Sequence, residues 1–193
     1  IADSALLKEL NDLLGSANEK VVRLSRIEQL GQLVADATPS ELKAAWRLLK
    51  QNKGNYLKLR EVQITAQNLI LGWSSKDGVS AGQSALELER MLKPDGTDSE
   101  GNHPLYERVM TSWAQAQPSK ATAWVESPNQ TLPDPGPTFA AEVVNYLSHT
   151  NPAELKDIAN LSPAAFQNST TRAAIDFITT HMAGSLDEVT PIN

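Results

Sequence analysis

The chain has 193 residues and a formal net charge of −6, with 40% hydrophobic and 21% charged residues, a balance that excludes disordered and fibrous classes and points to a globular protein. Cysteine is absent, which removes disulfides, thiolate metal sites and cysteine nucleophiles together while leaving the compartment open. An acidic chain repels phosphate, so no nucleic-acid partner is expected, and no apolar run approaches the ~20 residues of a membrane span.

Aromatic residues make up only 5%, and Ala, Leu, Glu, Gln and Lys dominate, which are helix formers. The elements follow as a series of helices. The first is expected from Ser4 to Leu14, closed by Gly15, and the second from Asn18 to Asp36, with Leu24, Ile27, Leu30 and Val34 stepping by three and four along one stripe. "TPSELK" (38–43) then starts a helix that carries Trp46 and stops near Gly54. Thr38 is suited to the cap, Pro39 to the first position, and Glu41 to reach back to the cap. Leu59, Val62, Ala66, Leu69 and Trp73 form the most regular stripe.

Asp77 caps a helix to about Met91, and "KPDGTDSEGNHP" is a loop by composition. Helices are expected from Pro104 to Ala116 and from Pro118 to Glu126. "SPNQTLPDPGP" (127–137), with four prolines in eleven residues, reads as an extended connector. Further helices are expected at Thr138–His149, Pro152–Ala159, Pro163–Gln167 and Thr170–Ala183. No strand is expected. This divides the chain into a helical half at 1–126, the connector at 127–137, and a second helical half at 138–193 packed on the first as one continuous domain.

Two internal echoes stand out. "TPSELK" recurs as "NPAELK" at 151–156, and "WSSKDGVSAGQSA" (73–85) aligns without gaps on "WAQAQPSKATAWV" (113–125). In the second echo, Trp73 or Trp113 ends one helix, Asp77 or Gln117 caps the next, and Gly78 or Pro118 takes its first position. Ala81 or Ala121 follows where two helices must approach. The pattern describes a tight corner between helices with an aromatic wedge. Trp46, Trp73, Trp113 and Trp124 are therefore read as packing residues, with a ligand-lining aromatic box as the alternative.

The run L-x3-W-x3-D-x3-A from Leu69 to Ala81, the run from Trp113 to Trp124, and the starts at Pro39 and Pro152 resemble the degenerate tetratricopeptide-like helical repeats of large uncharacterised bacterial proteins. The likeness touches about half the chain. It departs where Gly78 stands for proline and Gln117 for aspartate, and no Trp follows "NPAELK". The resemblance implies an all-α fold of stacked antiparallel helical hairpins, like an α-solenoid, and an exported or periplasmic setting; it implies no activity. A chain beginning at Ile1 rather than Met fits removal of a signal peptide or anchor, or of a tag.

A search for chemistry returns little. His103, His149 and His181 have no paired ligand spacing and read as exposed or capping imidazoles. The acidic loop Asp95, Asp98, Glu100, Asn102 fails the calcium-loop pattern, because position 6 is Glu100 and position 12 is Tyr106. Glu87 with Arg90 reads as an ordinary surface pair. "NQT" at Asn129 and "NST" at Asn168 match glycosylation sequons. Lys53 and Arg60 around Tyr56, in the neighbourhood of Lys50 and Lys58, could bind an acidic peptide or sugar, or form a solvated helix start. No cofactor is expected.

The leading expectation is thus a non-catalytic interaction or scaffold module with a protein or peptide partner. The alternatives are a helical hydrolase acting on polysaccharide or peptidoglycan, with Glu107 or Glu142 as its acid, and a structural spacer in a longer array.

Overall fold

The computed structural model describes residues 4–16, 24–52, 60–92, 103–127, 131–158, 171–172, 175–176 and 180. Among them the chain is helical and contains no strand. The helices are α1 (Ala5–Ser16), α2 (Leu24–Asp36), α3 (Pro39–Gln51), α4 (Arg60–Ser74), α5 (Gly78–Leu92), α6 (Pro104–Ala116), α7 (Pro118–Val125), α8 (Pro137–Thr150) and the short α9 (Leu155–Ile158), preceded by a 3-10 turn at Pro152–Glu154. The chain falls into two compact units, Ile1–Ser112 and Trp113–Asn193.

In the first unit α4 is central: it packs on α2, α3 and α5, while α1 packs on α2 and α3. Of the stripe read from the sequence, Val62, Ala66, Leu69 and Trp73 are buried, Ile70 is buried beside them, and Leu59 lies outside the described residues. The start of α3 is a full capping box. Thr38 Oγ1 accepts from the Glu41 backbone N–H at 3.3 Å, and Glu41 Oε2 accepts from the Thr38 backbone N–H at 2.8 Å. Behind the cap, Leu42, Ala45, Trp46 and Leu49 go into the core, each large side chain contributing on the order of 1.5–3 kcal/mol of burial.

Two devices bring α2 against α4. Gly72 has no Cβ, and one added there would overlap Val34 Cγ1. Just beyond α4, Lys76 Nζ donates to the Ala35 carbonyl at 2.6 Å and also to those of Val34 and Ala37. An ammonium on the terminal carbonyls of α2 sits where the helix dipole is negative.

The two tryptophan corners share one hydrogen-bond register. Asp77 N–H donates to Trp73 O at 3.0 Å, and Gln117 N–H to Trp113 O at 2.8 Å. Ala81 N–H donates to Asp77 O at 3.1 Å, and Ala121 N–H to Gln117 O at 3.0 Å. Both alanines are fully buried. The caps differ: Asp77 Oδ1 accepts from Ser80 N–H at 3.1 Å, whereas Gln117 makes no side-chain cap bond. Pro118 offsets that loss, since it lacks an N–H and pre-sets φ for the first turn.

In the second unit α8 packs on α7, on the 3-10 turn and on α9, burying Phe139, Ala140, Val143, Val144 and Leu147. Gly136 takes φ 87°, open to glycine at little cost, and its N–H donates to Asp134 Oδ1 at 2.9 Å just before Pro137 opens α8. The "NPAELK" echo does not repeat the capping box. Asn151 gives its backbone N–H to Leu147 O at 2.9 Å, as the end of α8. That N–H is not left for Glu154, which takes the Asn151 side-chain amide instead. Residues 152–154 accordingly form a 3-10 turn rather than the first turn of an α-helix. The helix expected at 163–167 lies outside the described residues; of that expected at 170–183, Thr171, Arg172, Ile175, Asp176 and Thr180 are described and helical.

Candidate binding cavity

Lys53 and Tyr56 lie outside the described residues, and Arg60 is an exposed side chain at the start of α4. Lys50, the other described cation of that cluster, is engaged elsewhere: its Nζ donates to Glu87 Oε2 at 2.9 Å and lies 5.9 Å from the Trp46 ring centroid. Trp46 Nε1 donates to the same oxygen at 2.9 Å. Glu87, a part-exposed side chain within reach of the charge of Arg90, thus also takes partners from α3. Burial alone would push its pKa up, but the hydrogen bonds from Lys50 and Trp46, with the charges of Lys50 and Arg90, outweigh this and lower it.

Trp46, Trp73 and Trp113 are only 3%, 2% and 4% exposed, so they pack rather than line a groove. Trp124 is half-buried and stands edge-on between Trp113, at 6.0 Å, and Phe139, at 5.8 Å. The indole N–H groups of Trp73 and Trp113 are buried with no acceptor among the described residues, a further trait the two corners share.

The cavity with polar walls is elsewhere in the first unit. It measures about 290 Å³ and is lined by Gln67 of α4, Glu89 and Leu92 of α5, and Pro104, Leu105 and Arg108 of α6. Glu89 and Leu92, like Leu105 and Arg108, are three residues apart, which puts each pair on one helix face. Glu89 is a carboxylate only 8% exposed. Its Oε1 accepts from the Leu105 backbone N–H at 2.6 Å, and its Oε2 lies 3.1 Å from His103 Nδ1. α6 begins without a favoured cap residue, since His103 stands at that position and its carbonyl accepts from Glu107 N–H at 2.9 Å. Glu89 supplies the missing acceptor through space and places negative charge where the dipole of α6 favours it.

The other two polar walls are not used in this way. Among the described residues Arg108 is exposed and makes no ion pair, and Gln67 is half-buried and makes no side-chain hydrogen bond. The cavity thus presents a guanidinium and an amide beside the apolar surfaces of Leu92, Pro104 and Leu105. Its volume is at the low end of the roughly 300–1,000 Å³ of small-molecule sites.

Sequence reasoning named His103 and Pro104 only as a capping or exposed imidazole and a helix start, and did not single out Gln67, Glu89, Leu92 or Arg108. The readable signal was Glu89 itself, a charge four residues beyond Ala85 on the buried face of α5, together with a helix start that lacks Ser, Thr, Asp or Asn.

Other candidates place as follows. His149 is exposed, with Nδ1 2.8 Å from the Asn145 carbonyl, and His181 lies outside the described residues. So do the acidic loop at 95–102 and both sequons' asparagines, Asn129 and Asn168. Glu107 and Glu142 are half-buried, and Glu142 accepts from Gln115 Nε2 at 2.8 Å. Among the described residues no cluster of three or more His, Asp or Glu could hold a metal ion, and no helix is long and apolar enough to cross a membrane. No family model, no curated protein and no solved structure matches the chain.

Proposed function

We propose that the chain is a non-catalytic interaction module built from stacked helical hairpins, with the cavity between α4, α5 and α6 as its recognition site. The observation that carries this reading is the division of labour around the cavity. Glu89, the most buried carboxylate among the described residues, has both oxygens engaged in holding the start of α6, whereas Arg108 and Gln67 are presented without partners among those residues. A general acid needs its proton aimed at substrate; a recognition site needs a few polar groups on an apolar wall. The shared register of the two tryptophan corners supports the repeat-like stacking, since tetratricopeptide-like arrays stack repeated helical units, each on its neighbours.

One feature favours a second reading, the hydrolase. An imidazole held at Nδ1 by a carboxylate is the arrangement that orients a catalytic histidine, and His103 on Glu89 has that form. A turnover screen on glycans, peptides and esters separates the two. The module reading expects no turnover from the purified chain. Turnover that disappears in His103→Asn, with the circular dichroism spectrum unchanged, would replace it with the hydrolase.

A further inference from the structure

We propose that the cavity between α4, α5 and α6 takes the carboxyl-terminal residue of a peptide, its apolar side chain inside and its α-carboxylate on Arg108. The proposal rests on the module reading and names the ligand class of that site.

Three properties of the walls lead to it. The first is charge. Arg108 is a guanidinium at the cavity with no ion pair among the described residues, and its planar fork matches a carboxylate with two parallel hydrogen bonds. Glu89 does not compete for it, since its two oxygens are directed at Leu105 N–H and His103 Nδ1. The second is the apolar surface of Leu92, Pro104 and Leu105, in a space of about 290 Å³, which suits one aliphatic or aromatic side chain rather than an extended ligand. The third is Gln67. An amide donates and accepts at once, so it can pair with the last peptide group of a chain. A free fatty or aryl acid has no such group to offer, and Gln67 would then be covered without a partner, at a cost.

The test is a titration of the full chain, followed by amide and side-chain NMR, with four-residue peptides of the form Gly-Gly-Ala-X, where X is Leu, Phe or Val. Each is compared with its carboxamide and with the matching small acid that lacks the peptide group, such as 4-methylpentanoate for Leu. The free-acid peptides should shift the signals of Gln67, Leu105 and Arg108. Affinity should fall about tenfold or more on amidation, as expected for loss of a charge-assisted bidentate contact. Arg108→Gln should reproduce that loss with the free acid, and Arg108→Lys should restore part of it; both substitute an exposed side chain and should leave the circular dichroism spectrum and melting temperature unchanged. The small acids should bind more weakly than the peptides.

Equal binding of acid and carboxamide in the cavity would overturn the carboxylate assignment while leaving the module reading in place. Small acids binding as tightly as the peptides would overturn the peptide assignment in the same way. Absence of any shift at the three residues with all three peptides would overturn the proposal. Cleavage of the peptides by the chain would overturn the module reading itself.

Discussion

Glu89 Oε1 lies 2.6 Å from the backbone nitrogen of Leu105, sixteen residues along the chain. One buried carboxylate thereby closes the start of α6, fixes His103 beside it, and forms a wall of the cavity. Removing it leaves a buried N–H without an acceptor. Glu89→Ala should cost about 1.5–3 kcal/mol, the range for a lost hydrogen bond to a charged group. Glu89→Gln keeps an acceptor for Leu105 and should cost less. Urea unfolding of the two variants beside the parent measures both, and equal midpoints for parent and Glu89→Ala would refute the through-space cap.

The contact between α2 and α4 predicts opposite outcomes at two glycines. At Gly72 a methyl group would overlap Val34 Cγ1, so Gly72→Ala should destabilise by about 1–3 kcal/mol, the cost of overpacking. Val34→Ala in that background should recover part of the loss. At Gly31, also within a helix, a Cβ meets nothing within 4 Å. Gly31→Ala should stabilise by about 0.5–1 kcal/mol. Thermal melts of the three variants check the order.

How far the sequence disclosed this structure can be seen in the two echoes. Two helix starts were legible from local signals, because a capping box and an N1 proline act within four residues: Thr38, Pro39 and Glu41 form the expected cap, and α6 begins at Pro104 as read. The same letters failed at Asn151, because the end of α8 had already claimed the backbone N–H that a capping box needs. The cavity was not legible for a related reason. Its residues come from three helices, and the bond between Glu89 and Leu105 N–H joins residues sixteen apart, a separation that carries no pairing information. The pairing of Lys50 with Glu87 was not legible either, because it crosses from α3 to α5, and stripes on single helices do not encode such crossings.

The aromatic corners give a third prediction. Trp73→Ala and Trp113→Ala should each cost about 3–5 kcal/mol, as large-to-small changes in a core do. The half-buried Trp124 should cost less when truncated. Variants at Trp73 and Trp113 melting within a degree or two of the parent would contradict the wedge role.

Acid unfolding follows from two carboxylates. The hydrogen bonds from the Thr38 backbone and side chain lower the pKa of Glu41 from 4.5 to about 2, and Glu87 is lowered as well, its donors outweighing burial. A carboxylate whose pKa is depressed by folding stabilises the native state above its unfolded value and loses that contribution as pH falls through the folded one. The contribution of Glu41 is therefore complete above pH 4.5 and fades from there toward about 2. Thr38→Ala should flatten the fall in stability across this window, and Glu41→Gln should flatten it further. Parallel stability curves for parent and Glu41→Gln between those limits would show that the capping box carries no acid dependence.

The central claim is that the α4–α5–α6 cavity holds a partner without transforming it. The most direct measurement follows the leucine methyl signals of the full chain, labelled with ¹³C, during titration with peptides selected from a random library displayed with free carboxyl termini. The account predicts that the methyl signals of Leu92 and Leu105 move, that those of Leu147 and Leu155 in the other unit do not, and that the peptides are recovered chemically unchanged. Movement confined to Leu147 and Leu155, or recovery of cleaved peptide, would contradict it.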